Sequence, residues 1–295
     1  MLEKPIRRQA DLLYLEPITA CNLHCRMCYT NVINGPNRRV LPAGLVLDFV
    51  RRYMALAPPT VELYWCGTGE VFLHPDFPAM VGTVYSEYGE RVSSQTVQTN
   101  GTMTDRLREL PSIHLIDFFV SVDGVEELHD WHRGAGTFAR TMEFCRVAHE
   151  LGARSIKVRA LLTKENIFRL DELYDELRRH AGDEVGLGLI LPYTNSVIDK
   201  VRGRSMMISQ NAIEDDRAIE KPEADEILAR LYGTRYEIEE CEAVDNYIAL
   251  TPFGVRTCCN GIISIGQAED DMDTLFARLE ASESDCRACE MFPCQ

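Results

Sequence analysis

The stretch LLYLEPITACNLHCRMCY, residues 12–29, joins a short apolar run to a loop carrying Cys21, Cys25 and Cys28. The spacing C-x3-C-x2-C is uneven and holds three thiols where a closed structural zinc site takes four ligands. The run before it has the length and composition of a strand. A thiol-rich loop directly after a first strand sits where α/β proteins assemble their active sites. The fold class depends on whether that strand begins a repeating series.

It does. Strand-like runs recur at 12–18, 61–66, 91–99, 116–122, 155–162 and 184–191, with helix-like segments at 42–57, 76–89, 103–110, 137–151 and 166–181 between them. In TFARTMEFCRVAHEL, Phe138, Met142, Cys145 and Ala148 recur at helical spacing. Alternation of this kind implies parallel pairing through right-handed crossovers. The expected fold is α/β, a partial (β/α)6 barrel over residues 1–195. Residues 196–240 read as a linker or bridging region with one helix near 222–233. From residue 241 the chain changes character, with a hairpin signal at Pro252-Phe253-Gly254, a helix near 272–282 and a small cysteine-rich module over 241–295.

The composition limits the partners. With 31 basic against 46 acidic residues the net charge is −15, which repels nucleic-acid backbone and anionic lipid, so neither is expected as a partner. There is no secretory signal and no apolar run of membrane-spanning length, so a cytoplasmic protein is expected. In a reducing compartment, the 11 cysteines read as metal ligands or core residues rather than disulfides. Cys145, on an apolar helix stripe, reads as core, and Cys66, at a strand end, as packing. His74 and His132 read as loop histidines without a catalytic role.

Three thiolates can hold a cubane [4Fe–4S] cluster by three of its irons, leaving the fourth iron open to a small ligand. Zinc at the same loop, with His24 as a fourth ligand, is the competing use. The motif, following the first strand of a (β/α)6 pattern, resembles the radical S-adenosylmethionine (SAM) superfamily. The resemblance spans about residues 10–195. It implies a SAM-binding [4Fe–4S] cluster on Cys21, Cys25 and Cys28, reductive cleavage of SAM to a 5′-deoxyadenosyl radical, and hydrogen abstraction from a substrate. It also implies a one-electron reductant such as flavodoxin or ferredoxin.

Further residues carry the likeness. CGTGEVFLHPDF resembles the family's Gly-Gly-Glu motif through Gly67, Gly69 and Glu70, with Thr68 and Val71 departing from it. Glycines there let the backbone approach a ligand, and the carboxylate can pair with an ammonium. Asn100, Ser121 and Asp123 resemble the ends of the third and fourth strands and would face the SAM ribose and carboxylate. Their structural alternatives are a tight turn and a helix cap. Met27 stands at the family's usually aromatic position of the loop, where its backbone would meet adenine, and Tyr29 adds an aromatic just after it.

Near the C-terminus, Cys241-x12-Gly254-x4-Cys259 resembles the opening of SPASM or Twitch modules. The resemblance implies one auxiliary [4Fe–4S] cluster on Cys241, Cys259, Cys286 and Cys289. Cys258 or Cys294 could replace one of them, and a zinc site on the same thiolates is the alternative. Such a cluster can accept or relay an electron. The expected reaction is oxidation of a small molecule, such as an alcohol or aminocyclitol of the 2-deoxy-scyllo-inosamine dehydrogenase type. Peptide maturation, as in ribosomal-peptide or sulfatase maturases, is the alternative. That alternative is disfavoured by the short segment before the first strand. A non-catalytic iron–sulfur or zinc protein is the reading outside enzymes. Lys157 and Arg159 alternate on the fifth strand and are candidate proton acceptors.

Overall fold

The computed structural model describes residues 11–28, 38–191, 193–194, 212–213, 217–236, 238, 247–257 and 263–282. Six strands lie in parallel sequence order: β1 (Leu12–Leu15), β2 (Val61–Trp65), β3 (Val92–Thr99), β4 (Ile116–Ser121), β5 (Ser155–Leu161) and β6 (Gly186–Ile190). Five α-helices fall in the crossovers: α1 (Ala43–Leu56), α2 (Phe77–Tyr88), α3 (Glu126–Arg133), α4 (Thr137–Glu150) and α5 (Leu170–Ala181). This mixed α/β architecture, with its largely parallel sheet, is that of a partial barrel.

The two faces of the sheet differ in chemistry because side chains alternate along a strand. Leu13, Leu15, Leu63, Trp65, Val97, Phe118, Val120, Val158 and Ala160 belong to the large core with Phe49, Tyr53, Phe77, Met80, Phe144 and Leu173 of the helices. The intervening positions form a second, smaller cluster of Tyr14, Tyr64, Cys66 and Ala249, flanked by Leu12 and Phe119. Cys145 is fully buried in the helix-side core, as expected.

Three differences from the sequence reading have local causes. The first strand ends at Leu15 rather than at residue 18, just ahead of Pro17, which has no N–H to continue a ladder. The segment near 103–110 forms a 3-10 helix, Thr104–Glu109, not an α-helix. The helix α3 was not expected, because eight residues with only two buried side chains, His129 and His132, carry no apolar period.

Helix α6 (Lys221–Tyr232) matches the expected segment and begins with a proline in its first turn. Two short strands, β7 (Tyr193–Thr194) and β8 (Ala212–Ile213), pair in parallel as a separate ribbon. The hairpin forms as read: β9 (Tyr247–Thr251) and β10 (Gly254–Arg256) pair antiparallel, and β11 (Ser264–Gly266) follows. Helix α7 (Met272–Ala281) closes the described chain. The hairpin does not stand apart from the barrel. Strand β9 pairs in parallel with β1, Leu13 opposite Ile248 and Leu15 opposite Leu250, which makes a nine-stranded sheet. The expected boundary at residue 241, and the six cysteines from Cys241 onward, lie outside the described residues.

Candidate active site

The loop with Cys21, Cys25 and Cys28 leaves the C-terminal end of β1 and is half-buried at all three thiols. Its root is pinned by the turn after β2. The Glu70 N–H donates to the Ala20 carbonyl at 2.8 Å. Gly69 lies so close that a Cβ there would sit 2.5 Å from the Ala20 oxygen and 2.6 Å from the Ile18 oxygen. Only glycine fits. Gly67 turns the chain with φ +145°, and a Cβ there would meet Glu16 Cγ at 2.2 Å. The two glycines therefore serve chain-to-chain approach.

Two N–H groups donate to Cys21, and its thiol in turn lies 4.0 Å from the acceptor Asn22 Oδ1. The Leu23 N–H reaches Sγ at 3.4 Å and the Asn100 amide at 3.7 Å. Asn100 also donates to Asn22 Oδ1 at 2.9 Å, and its Oδ1 accepts from the Thr102 hydroxyl at 2.6 Å. Asn22, Thr99 and Thr102 were not singled out from sequence; polar residues beside a turn give no distinctive pattern. Burial pushes the Cys21 thiol up to about 11, and the Glu70 charge adds to this. Burial pushes Cys25 to about 12 against the pull of Arg133, and the charges of Cys28 and Cys21 raise it further. Thiols that hinder one another's ionisation, yet receive N–H donors, fit a cationic group that takes thiolates. Among the described residues, no three His, Cys, Asp or Glu side chains converge as ligands of a single ion.

Glu70 is buried and fully engaged. Its Oε1 accepts from Thr99 Oγ1 at 2.8 Å and from the Phe72 N–H at 3.4 Å; its Oε2 accepts from the Asn100 N–H at 2.7 Å. Burial nevertheless raises its pKa to about 7, against those donors. Glu16, passed over in the sequence, is its counterpart on β1. Its Oε1 accepts from both the N–H and the hydroxyl of Thr68, the latter at 2.6 Å. Burial raises it to about 7 as well. Its other oxygen has no hydrogen-bond partner among the described residues.

At the end of β4, Asp123 does not face outward as a ligand group. It is fully buried and accepts from Arg133 Nε at 2.6 Å, Arg133 Nη2 at 3.3 Å and the Leu161 N–H at 3.0 Å. Burial opposes its charge, but the Arg133 guanidinium overcomes this and holds the carboxyl below its ordinary range. Asp123 thus anchors α3 to β5 and, through Arg133, sets a cation beside Cys25 and Cys28. Arg133 was missed because its partner lies ten residues away across a loop. Ser121 ends β4 half-buried, opposite Arg159 on β5. Met27 is buried against Leu161, Ala218 and Cys25.

Of the two histidines read as loop residues, His74 does lie in a turn, whereas His132 does not. His74 is fully buried, its ring contacting the Leu41 carbonyl at 2.9 Å and accepting from the Asp76 N–H at 3.1 Å. His132 lies within α3, not on a loop, and its carbonyl accepts the Arg26 N–H at 2.8 Å. On the second face of the sheet, Tyr14 and Tyr64 stack at 4.6 Å. Arg159 lies 4.1 Å from the Phe119 ring and donates to the Tyr64 hydroxyl at 2.5 Å, with Lys157 Nζ 5.5 Å from the same ring. The structure brings Lys157 and Arg159 together. A guanidinium does not give up its proton, so Arg159 is a fixed cation there.

A loop of three thiols at the end of β1, sewn to a glycine turn from β2 and an asparagine from β3, is matched by one family model. Residues 15–187 fit the radical SAM superfamily. The chain belongs to the radical SAM superfamily. Membership implies a [4Fe–4S] cluster and SAM.

Among curated relatives, the chain is 28% identical over 201 residues to the tungsten-containing aldehyde ferredoxin oxidoreductase cofactor-modifying protein of Pyrococcus furiosus, covering 64% of this chain and 54% of that one. It is 26% identical over 176 residues to the mycofactocin maturase MftC of Mycobacterium ulcerans, covering 58% and 44%. The matches thus span about half the length of these relatives.

Among solved structures, anSMEcpe with bound AdoMet superposes with a TM-score of 0.67 at 16% identity, over 95% of this chain and 87% of that one. Streptococcus suis SuiB bound to S-adenosylmethionine superposes at 0.63 and 14%, over 96% and 71%. At these identities the likeness is one of fold. Among the described residues, no helix is long and apolar enough to cross a membrane.

Proposed function

We propose that this radical SAM enzyme binds its cluster through Cys21, Cys25 and Cys28 and oxidises a C–H bond of a peptide substrate. The observation that carries the cluster assignment is the Cys21 sulfur, half-buried at the end of β1 and receiving two N–H donors. When bound, the cluster and SAM supply a 5′-deoxyadenosyl radical that takes a hydrogen atom from the substrate.

The chain's own residues do the positioning. Gly69 and the Glu70 N–H hold the root of the loop. Asn100 donates to Cys21 and stabilises its thiolate form. Arg133, held by Asp123, sets a buried positive charge beside Cys25 and Cys28. Ser121 and Arg159 lie side by side at the ends of β4 and β5, where a substrate or SAM carboxylate would be met.

The peptide reading is supported by the maturase named among the relatives. A second reading, a small alcohol or amine, is favoured by the aromatic and cationic face of Tyr14, Tyr64, Phe119, Lys157 and Arg159. On that reading Lys157 takes the proton when an alcohol becomes a ketone. The auxiliary cluster on Cys241, Cys259, Cys286 and Cys289, accepting the substrate electron, belongs to this proposal on sequence grounds alone.

The test is anaerobic reconstitution followed by SAM and dithionite. The intact protein is expected to form 5′-deoxyadenosine, and Cys25→Ala to form none. Iron content should be twice that of a single cluster and fall by half in Cys286→Ala. An intact protein that binds zinc at the loop, or leaves SAM uncleaved, overturns the reading.

A further inference from the structure

The segment that follows the three thiols comes back to the segment that precedes them. Arg39, Val40 and Leu41 run antiparallel to Pro17, Ile18 and Thr19. The Thr19 N–H donates to the Arg39 carbonyl at 2.9 Å, the Arg39 N–H to Thr19 Oγ1 at 2.9 Å, and the Leu41 N–H to the Pro17 carbonyl at 2.8 Å, with a bridge between Ile18 and Val40. These bonds form a neck that closes the thiol loop. Two paired segments of three residues are marginal in water, so the neck needs support from outside.

The C-terminal hairpin supplies it. Arg39 Nη1 donates to the Pro252 carbonyl at 3.2 Å, and the Arg39 guanidinium lies 4.5 Å from the Phe253 ring centroid. Just ahead of the neck, the Glu16 N–H donates to the Leu250 carbonyl at 2.9 Å. The turn between β9 and β10 is itself braced. Thr251 Oγ1 accepts from the Phe253 N–H at 3.1 Å and donates to the Gly254 carbonyl at 2.8 Å, and Arg256 Nη2 donates to the Phe253 carbonyl at 3.1 Å. Farther back, Arg52 of α1 donates to the Ala268 and Asp270 carbonyls, and the rings of Tyr53 and Phe276 lie 6.3 Å apart between α1 and α7. The hairpin is thus an arm fixed to the barrel at its base, with Arg39 gripped at its tip.

We propose that Arg39 and the Pro252-Phe253 turn form a clasp on the neck of the thiol loop, through which the C-terminal hairpin positions Cys21, Cys25 and Cys28 for their cluster. The role toward the cluster rests on the cluster assignment above. Arg39 is a positioning residue: it acts through Thr19, two residues before Cys21, and not on a sulfur. Three thiolates hold three irons of one cube only when their separations are fixed, and a neck that opens lets them spread. An exposed cation–π contact with one hydrogen bond shifts such a local opening about three- to tenfold and leaves global stability nearly as it was.

The test reads the neck without the cluster and the loop with it. In iron-free protein, amide hydrogen exchange at Thr19 and Leu41 is expected to quicken about three- to tenfold in Arg39→Ala and in Phe253→Leu, while the amides of β2 to β5 keep their rates. Arg39→Lys keeps a cation over the ring and should recover part of the protection. In reconstituted protein carrying Cys286→Ala, so that the loop is the iron site being read, release of iron to a chelator should quicken by a similar factor in the same variants. The electron paramagnetic resonance signal that shifts on adding SAM should broaden with it, and Arg39→Lys should again restore part of both. Unchanged exchange at the neck overturns the proposal. Faster exchange with unchanged iron release and an unchanged signal also overturns it, because the clasp then does nothing for the thiols, as does exchange that rises throughout the sheet, which means general destabilisation. A wild-type protein that holds no iron at Cys21, Cys25 and Cys28 overturns the cluster assignment and the role in cluster retention with it, and the exchange rates then decide whether the hairpin holds the loop.

Discussion

Three carboxylates are buried beyond the C-terminal ends of the strands, and they are held in opposite ways. Glu16 and Glu70, either side of the 67–70 turn, are both pushed up to about 7 by burial. Asp123, as deeply buried, is driven below its ordinary range because Arg133 is within hydrogen-bond reach. Hydrogen-bond donors, helped only at longer range by Arg256 at Glu16 and Arg133 at Glu70, do not offset the loss of water; a guanidinium in direct hydrogen-bond contact does. The difference divides the site in two. Around β1 and β2 the carboxyls are pushed toward their neutral form and serve to hold backbone against backbone. Around β4 and α3 an ion pair persists and sets the field beside the thiols.

The comparison breaks first at Arg133. Arg133→Met leaves Asp123 charged and unpaired in the interior, and chemical unfolding should show a loss of about 3–5 kcal/mol. Asp123→Asn in the same background should recover part of it.

The next test is pH. Glu16 has a folded pKa above its unfolded one, so its contribution to stability is complete below about 4.5 and is lost as pH rises through about 7. Glu16→Gln keeps an oxygen for Thr68 and removes the titration. Relative to wild type, the variant should gain about 2–3 kcal/mol between pH 5 and pH 8. Asp123 works in the other direction, its stabilisation present above the ordinary aspartate range and lost as pH falls through its lowered value. Acid denaturation should therefore be blunted in the Asp123→Asn, Arg133→Met double variant.

Smaller effects follow. Gly69→Ala pushes a methyl into the carbonyls of Ile18 and Ala20, and should cost about 1–3 kcal/mol with a fall in iron retained after desalting. Thr68→Val removes one donor from Glu16 and should cost about 1 kcal/mol while steepening the loss of stability between pH 5 and 7.

Much of this was legible in the residues. The thiol spacing, the glycines at 67 and 69, and the six strand runs came directly from local pattern, because period and turn chemistry act within a few residues. The strands of the barrel fall within two residues of the expected ends, apart from β1, which stops three short near Pro17. What pattern did not supply was pairing across distance. Arg133 with Asp123, Arg26 with Trp131, and Thr68 with Glu16 join residues that share no repeat, whereas α3 was missed because it carries no apolar period. Asp123 was expected to face SAM and instead accepts from Arg133 and the Leu161 N–H.

By itself the sequence determined a parallel α/β chain with three thiols on the loop after the first strand, since alternation and spacing are properties of contiguous residues. Only the tertiary structure decided that β9 pairs with β1 and brings the hairpin onto the barrel sheet. It also decided which buried carboxylates keep their charge. Both depend on what a folded chain brings within a few ångströms, where a ladder can form or a guanidinium can replace water.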